Sequence, residues 1–299
     1  MGAMAVEGSM RRLAMRMRSP VLALGGGGAR GFVHIGVLRV LEARSIRPRA
    51  VVGTSMGSLM GAMYLVHGTA DVIEAEWRRI MDDGVLPSVE GVGTVPRAEK
   101  REHPLLQVAR RFKNRVVVTF ALNRSTVLDG AVLDEVVDAL LPDIAIEDLP
   151  LPFTAVATDL ENGAEIRIRR GPLRMAVKAS SSIPGMVPAK RIDARDLVDG
   201  GVVAEVPVAA ARALGRPVLA VDASMQTPPP GEDDLALDTM MRTQQMTSAL
   251  LRARQLEDST WVIRPEIGPV AWADWQTFEK MIEAGEAATR RFFGEVRES

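Results

Sequence analysis

Ala50-Val51-Val52-Gly53-Thr54-Ser55-Met56-Gly57 is the stretch from which the rest of the chain can be read. The apolar run 50–52 predicts a short buried strand and 59–66 a helix, so Gly53-Thr54-Ser55-Met56-Gly57 is a G-x-S-x-G string at a strand-to-helix junction. A sharp turn at such a junction crowds the backbone. Glycines on both flanks relieve the crowding and leave the Ser55 hydroxyl out over the end of the sheet, the geometry of a nucleophile elbow. A serine that only caps the following helix is the competing reading, and the strand-glycine-helix context favours the nucleophile.

Working outward, the same alternation recurs. Upstream, 21–24 is a strand, and Val33, Val37, Val40 and Leu41 repeat at helical spacing until Pro48 stops the segment. Downstream, strands are expected at 153–157, 166–168, 196–198, 218–221 and 261–263, and helices at 70–81, 132–141, 206–214, 235–256 and 275–293. Strand and helix taking turns predict an α/β three-layer fold with a central, mostly parallel sheet, whose ligands sit at the carboxyl ends of the strands. Residues 82–129, with Gly84, Pro87, Gly91, Gly93, Pro96 and Pro104, interrupt the pattern and are expected to form a lid. Met1–Met10, ending in Gly8-Ser9-Met10, reads as a cloning remnant, and Arg11, Arg12, Arg16 and Arg18 as a flexible basic terminus. That leaves one catalytic domain over 20–299.

Composition removes several function classes. The 299 residues carry 37 basic and 38 acidic side chains, a net charge of −1, so no overall field favours nucleic acid, and none is expected as a partner. Absence of cysteine excludes disulfides, a thiolate nucleophile and Cys-ligated zinc. The apolar run 59–66 is far shorter than the roughly 18 residues needed to span a bilayer. Without an apolar export segment, the expected location is cytoplasmic, with peripheral contact at the inner membrane surface.

The chemistry must then come from polar residues at strand ends. Gly25-Gly26-Gly27-Gly28-Ala29-Arg30-Gly31 contains Gly26-x-Gly28-x-x-Gly31, the dinucleotide fingerprint. A dinucleotide fold places an acid at the end of the second strand, and here that strand ends in Gly53-Thr54-Ser55. A phosphate-binding Gly-Lys-Ser/Thr is missing as well. What remains is a row of unobstructed backbone amides at a helix N-terminus, suited to an oxyanion.

A serine hydroxyl needs a base, and the histidines are His34, His67 and His103. In the order serine, acid, histidine, only Asp71, Asp82, Asp83 or a nearby glutamate could stand between Ser55 and His103, which is cramped. His34 falls inside a helix as a packing residue, His67 ends a helix, and His103 lies in the expected lid. Asp199-Gly200-Gly201, directly after the apolar Leu197-Val198, offers a carboxylate at a strand end; an Asp-Gly hairpin turn is an equal reading of the same residues.

Taken in order, Gly26–Gly31, Gly53–Gly57 and Asp199–Gly201 resemble the motifs of the patatin-like phospholipase family, small bacterial members in particular. Similar stretches lie between and beyond them: Phe32-Val33-His34-Ile35-Gly36-Val37-Leu38, Ala157-Thr158-Asp159-Leu160, Ala179-Ser180-Ser181-Ser182-Ile183-Pro184-Gly185, Val262-Ile263-Arg264-Pro265 and Ile282-Glu283-Ala284-Gly285. The resemblance implies a Ser-Asp dyad without histidine, with Ser55 as nucleophile, Asp199 as general base, and Gly26, Gly27 and Gly28 as the oxyanion hole. It implies a lipid acyl ester as substrate, phospholipid or lysophospholipid, with no cofactor and no metal. Arg30 has two candidate roles, orienting a lipid phosphate or pairing with a local carboxylate to brace the loop, and the latter is favoured. Gly31, Gly53, Gly57, Gly200 and Gly201 are the motif glycines. Asp159 is expected to cap a loop, and Ser180–Ser182 with Pro184 and Pro188 to wall the cleft. An acyltransferase with the same dyad and a silent lipid-binding regulator are the alternatives, and the sequence does not define the oligomeric state.

Overall fold

The computed structural model describes residues 19–86, 130–224, 236–268, 270 and 272–294. The first half holds β1 (Val21–Leu24), a 3-10 turn (Gly28–Phe32) entering α1 (Val33–Ala43), β2 (Ala50–Thr54), α2 (Met56–His67), α3 (Ala70–Asp82) and α4 (Ala131–Leu140). The second holds β3 (Phe153–Asp159), β4 (Glu165–Ile168), α5 (Leu173–Ser180), β5 (Lys190–Ile192), β6 (Arg195–Asp199), α6 (Val208–Arg212), β7 (Val218–Val221), α7 (Ala236–Glu257), β8 (Trp261–Ile263) and α8 (Phe278–Phe292).

One sheet runs β5-β6-β3-β2-β1-β7-β8, with β4 also paired to β3. The five strands β3, β2, β1, β7 and β8 are parallel, as the alternation predicts. The period of two along each strand sorts its side chains into two cores. Leu22, Leu24, Val51, Leu219 and Val221 join the larger, with Val37 and Leu41 of α1, Met60 of α2 and Trp77 of α3. Val21, Ala23, Ala50, Val52, Val218 and Ala220 join the smaller, against Ala210 and Ala211 of α6 and Leu256 of α7. Burial on both faces explains why these strands read as unbroken apolar runs and not as alternation.

The structure departs from the expected pattern on one side of β3. There β4 and β6 pair with it antiparallel, and β5 and β6 form an antiparallel hairpin. β5 is too short and polar, Lys190-Arg191-Ile192, to announce itself as a strand, and α5 is a further helix absent from the expected list. Of the segment expected as a lid over 82–129, Asp82 belongs to α3, and 83–86 continue as a turn and loop. Residues 87–129, which include His103, lie outside the described residues, as does the basic terminus through 18.

Candidate active site

The site forms where two strands meet end to end on one edge of β3. β2 pairs with β3 in parallel up to Thr54 opposite Val156. At the next residue β6 takes over, antiparallel, with Asp199 opposite Ala157. β4 spans Ala155–Thr158 and so overlaps both partners, which puts β2 and β6 together on the opposite edge. Because they run toward each other, their carboxyl ends converge, and Ser55, the residue after Thr54, comes beside Asp199. The junction is fastened by Thr158 Oγ1, which donates to the Asp199 carbonyl at 3.0 Å, and by Thr54 Oγ1, which donates to the Ala204 carbonyl at 2.8 Å.

At the elbow Ser55 has φ 54° and ψ −128°, a region sparsely populated by non-glycine residues, and α2 starts immediately after it. The flanking glycines are required by contact: a Cβ on Gly53 would lie 2.3 Å from the Gly57 carbonyl oxygen, and one on Gly57 2.2 Å from that of Leu24. Backbone hydrogen bonds hold the strained turn. The Ser55 amide donates to the Ser180 carbonyl at 3.1 Å and to its hydroxyl at 3.0 Å, while Ser58 Oγ donates to the Ser55 carbonyl at 2.7 Å.

Asp199 is 6% exposed and Ser55 8%. Burial pushes the Asp199 carboxyl up to about 6, because the charged form loses its water; the Ser55 hydroxyl and the Gly201 amide pull it back down, and Glu205 adds a small upward push. The Gly201 amide donates to Asp199 Oδ1 at 2.7 Å. No hairpin follows: Gly200–Val202 is a 3-10 turn, and a Cβ on Gly200 would lie 2.2 Å from the Val156 carbonyl oxygen, so the chain bends tightly over β3. The Asp-Gly hairpin reading is thereby replaced.

The glycine loop lies against the elbow, with a Cβ on Gly26 only 3.2 Å from the Ser55 Cβ. The Gly25 amide donates to the Val221 carbonyl at 3.0 Å, Gly26 to Glu205 at 2.9 Å and Ala29 to Trp272 at 2.7 Å. The amides of Gly27 and Gly28 have no acceptor among the described residues. Of the three glycines expected to form an oxyanion hole, Gly26 is therefore corrected: its amide already anchors the loop, and Gly27 and Gly28 keep theirs available. Gly31 packs on the elbow, where a Cβ would meet Met56 Cγ at 2.3 Å.

Arg30 braces the loop differently from the expectation. Its Nε donates to the Gly27 carbonyl at 2.9 Å, and among the described residues no carboxylate comes within ion-pair distance of it. Burial lowers its pKa, opposed chiefly by the more distant Glu205. Glu205 instead pairs with Arg252 at 2.6 Å, and Arg252 and Arg264 both reach the buried Asp222.

Neither described histidine hydrogen-bonds to Ser55. His34 is fully buried with Nε2 2.8 Å from the Gly25 carbonyl, so Nε2 carries the proton and the ring props the loop from below. Burial lowers its pKa to about 4, with the Gly25 carbonyl and Asp222 opposing. His67 Nε2 lies 3.3 Å from the Leu140 carbonyl, at the end of α2. Asp159 caps its turn as expected, accepting from the Glu161 amide at 3.0 Å. Sequence reasoning missed the bonds from the Ser55 amide to Ser180. Its only signal is a run of three serines, the first of which closes the helix Leu173–Ser180.

The profile of patatin-like phospholipases matches residues 22–212. An uncharacterized NTE family protein of Mycobacterium tuberculosis is 35% identical over 208 residues, covering 66% of this chain and 48% of the relative. Human patatin-like phospholipase domain-containing protein 6 is 27% identical over 305 residues, covering 91% of this chain and 20% of the relative. VipD from Legionella pneumophila, known as a crystal structure, aligns at 14% identity with a TM-score of 0.47, over 93% of this chain and 67% of that one. The chain thus spans 48% of the length of the mycobacterial relative and a smaller share of the human one.

Proposed function

Because the chain belongs to the patatin-like phospholipase family, we propose that it is a serine acyl hydrolase that cleaves carboxylic ester bonds of phospholipid or lysophospholipid, with Ser55 as nucleophile and Asp199 as base. The observation that carries this reading is the head-to-head approach of β2 and β6, which sets a strained serine beside a buried carboxylate raised to about 6. An ordinary aspartate near 3.9 is a poor acceptor for a serine proton; desolvation makes this one stronger while leaving it ionised at neutral pH.

In this reaction Asp199 takes the hydroxyl proton as Ser55 Oγ bonds to the ester carbonyl carbon. The carbonyl oxygen becomes an oxyanion held by the amides of Gly27 and Gly28, at the positive end of the turn that enters α1. Collapse expels the alcohol, which leaves with the proton from Asp199, and an acyl-enzyme remains on Ser55. Asp199 then takes a proton from a water that bonds to the acyl carbon, and returns it to Ser55 Oγ as the acyl–oxygen bond breaks and the fatty acid leaves. Arg30, through its bond to the Gly27 carbonyl, keeps the donor amides in line. Among the described residues no helix is long and apolar enough to cross a membrane, and in this reading the enzyme meets its lipid peripherally, at the inner membrane surface.

A fluorophosphonate probe tests the assignment. It should label Ser55, and Ser55→Ala should lose both labelling and hydrolysis of a lipid ester panel; covalent labelling of another serine in its place would overturn it.

A further inference from the structure

The dyad proposed above needs a fixed distance between two groups on different strands, and the segment 180–182 is bound to both. The Ser55 amide donates to the Ser180 carbonyl at 3.1 Å and to Ser180 Oγ at 3.0 Å. The Asp199 amide donates to the Ser182 carbonyl at 2.8 Å. Ser180 Oγ in turn donates to the Val156 carbonyl at 2.6 Å, and Val156 is the β3 residue opposite Thr54, the residue just before the nucleophile. A hydroxyl has one proton. Since Ser180 gives its proton to Val156, it can only accept from Ser55, so the two bonds are directional and mutually compatible. The same Val156 carbonyl is the atom on which Gly200 rests. Ser180 is fully buried at the end of α5, in no contact with solvent.

We propose that Ser180 is a positioning residue that holds the Ser55 elbow against β3 at the separation from Asp199 that proton transfer needs. The inference rests on the dyad reading. Ser55 sits at φ 54°, a backbone state that persists only where the surroundings over-determine it. Two acceptors from one residue on a single amide provide that constraint, and the Val156 bond ties it to the strand whose other partner carries Asp199. Without the hydroxyl the amide keeps one acceptor, so the elbow stays folded but is free to relax away from the carboxylate. Misplacement of a reacting group by about 1 Å costs on the order of a hundredfold in rate.

The test compares the full chain with Ser180→Ala, Ser180→Thr, Thr289→Val and Ser55→Ala, on p-nitrophenyl butyrate and by the rate of fluorophosphonate labelling. Thr289 is the matched control: it is equally buried, and its hydroxyl donates at 2.7 Å to the Gly285 carbonyl within its own helix, α8, and not to Ser55 or Asp199. Ser180→Ala should lower kcat and the labelling rate about ten- to a hundredfold with KM changed less than about threefold. Ser180→Thr, which keeps the hydroxyl, should recover most of the loss, and Thr289→Val should leave kcat unchanged despite a similar fall in melting temperature. If Ser180→Ala does not fold, Ser180→Cys, close in volume with a poor acceptor, should show the same loss. Wild-type kcat in Ser180→Ala or Ser180→Cys, with Ser55→Ala inactive, overturns the positioning role alone. Equal kcat losses in Ser180→Ala and Thr289→Val make the role structural and overturn it too. Full activity in Ser55→Ala removes the dyad reading and this inference with it.

Discussion

Replacing Asp199 by Asn should change the pH dependence of stability as well as activity, and the two effects have separable magnitudes. Burial raises the Asp199 carboxyl from 3.8 to about 6, so the folded protein binds that proton more tightly than the unfolded chain does. Below about pH 4 both states hold the proton and the group contributes nothing. Between about 4 and 6 the unfolded chain ionises first, and above 6 the folded protein carries a buried charge whose full cost is present. Two pKa units at about 1.4 kcal/mol each make that cost about 3 kcal/mol. His34 acts in the opposite sense. Its pKa falls from 6.5 to about 4, so between those values the unfolded chain takes up a proton that the folded protein refuses, and stability rises with pH, again by about 3 kcal/mol.

In the wild type the two slopes largely cancel between pH 4 and 6. Asp199→Asn removes one and exposes the other. The difference in unfolding free energy between variant and wild type, measured by urea denaturation at one-unit steps, should therefore move by about 3 kcal/mol in favour of the variant from pH 4 to pH 8. A constant offset from the unpaired Asn amide hydrogens does not affect that trend. Hydrolysis should meanwhile fall at least about a thousandfold, and wild-type kcat/KM should rise with an apparent pKa near 6 and level off above it. A stability difference that stays flat with pH would refute the desolvated base: Asp199 would then have an ordinary pKa, and the physical basis for its role would be gone.

Two further outcomes follow from the loop. A Cβ on Gly27 would lie 2.9 Å from the Ala223 carbonyl oxygen, so Gly27→Ala should displace the loop and lower turnover about ten- to a thousandfold; wild-type turnover would remove the oxyanion hole from this position. Arg30→Met loses the 2.9 Å bond to the Gly27 carbonyl, so phospholipid and neutral short-chain ester hydrolysis should fall together and stability should drop by about 1 kcal/mol in thermal melts. A loss confined to phospholipid would assign Arg30 to the headgroup instead.

Much of this was legible in the chain because it depends on neighbours in sequence. β1, β7 and the first three residues of β2 betray themselves as continuous apolar runs, since both faces are covered, and the elbow shows as glycines at fixed offsets from Ser55, since backbone contacts at 2.2 and 2.3 Å admit nothing larger. Asp199-Gly200-Gly201 was visible as a candidate but stood level with a hairpin turn, because a carboxylate's role depends on what faces it. Only the tertiary structure shows what faces it. It brings β6 in antiparallel on the edge of β3 that β2 has just vacated, buries the carboxylate there, takes the Gly26 amide for Glu205 and, among the described residues, gives those of Gly27 and Gly28 no acceptor. Ser180 shows the limit most clearly. It stands 125 positions from Ser55, and the run of three serines that marks it locally does not show its partner, because hydrogen bonds across such a separation exist only once the intervening strands have set their register.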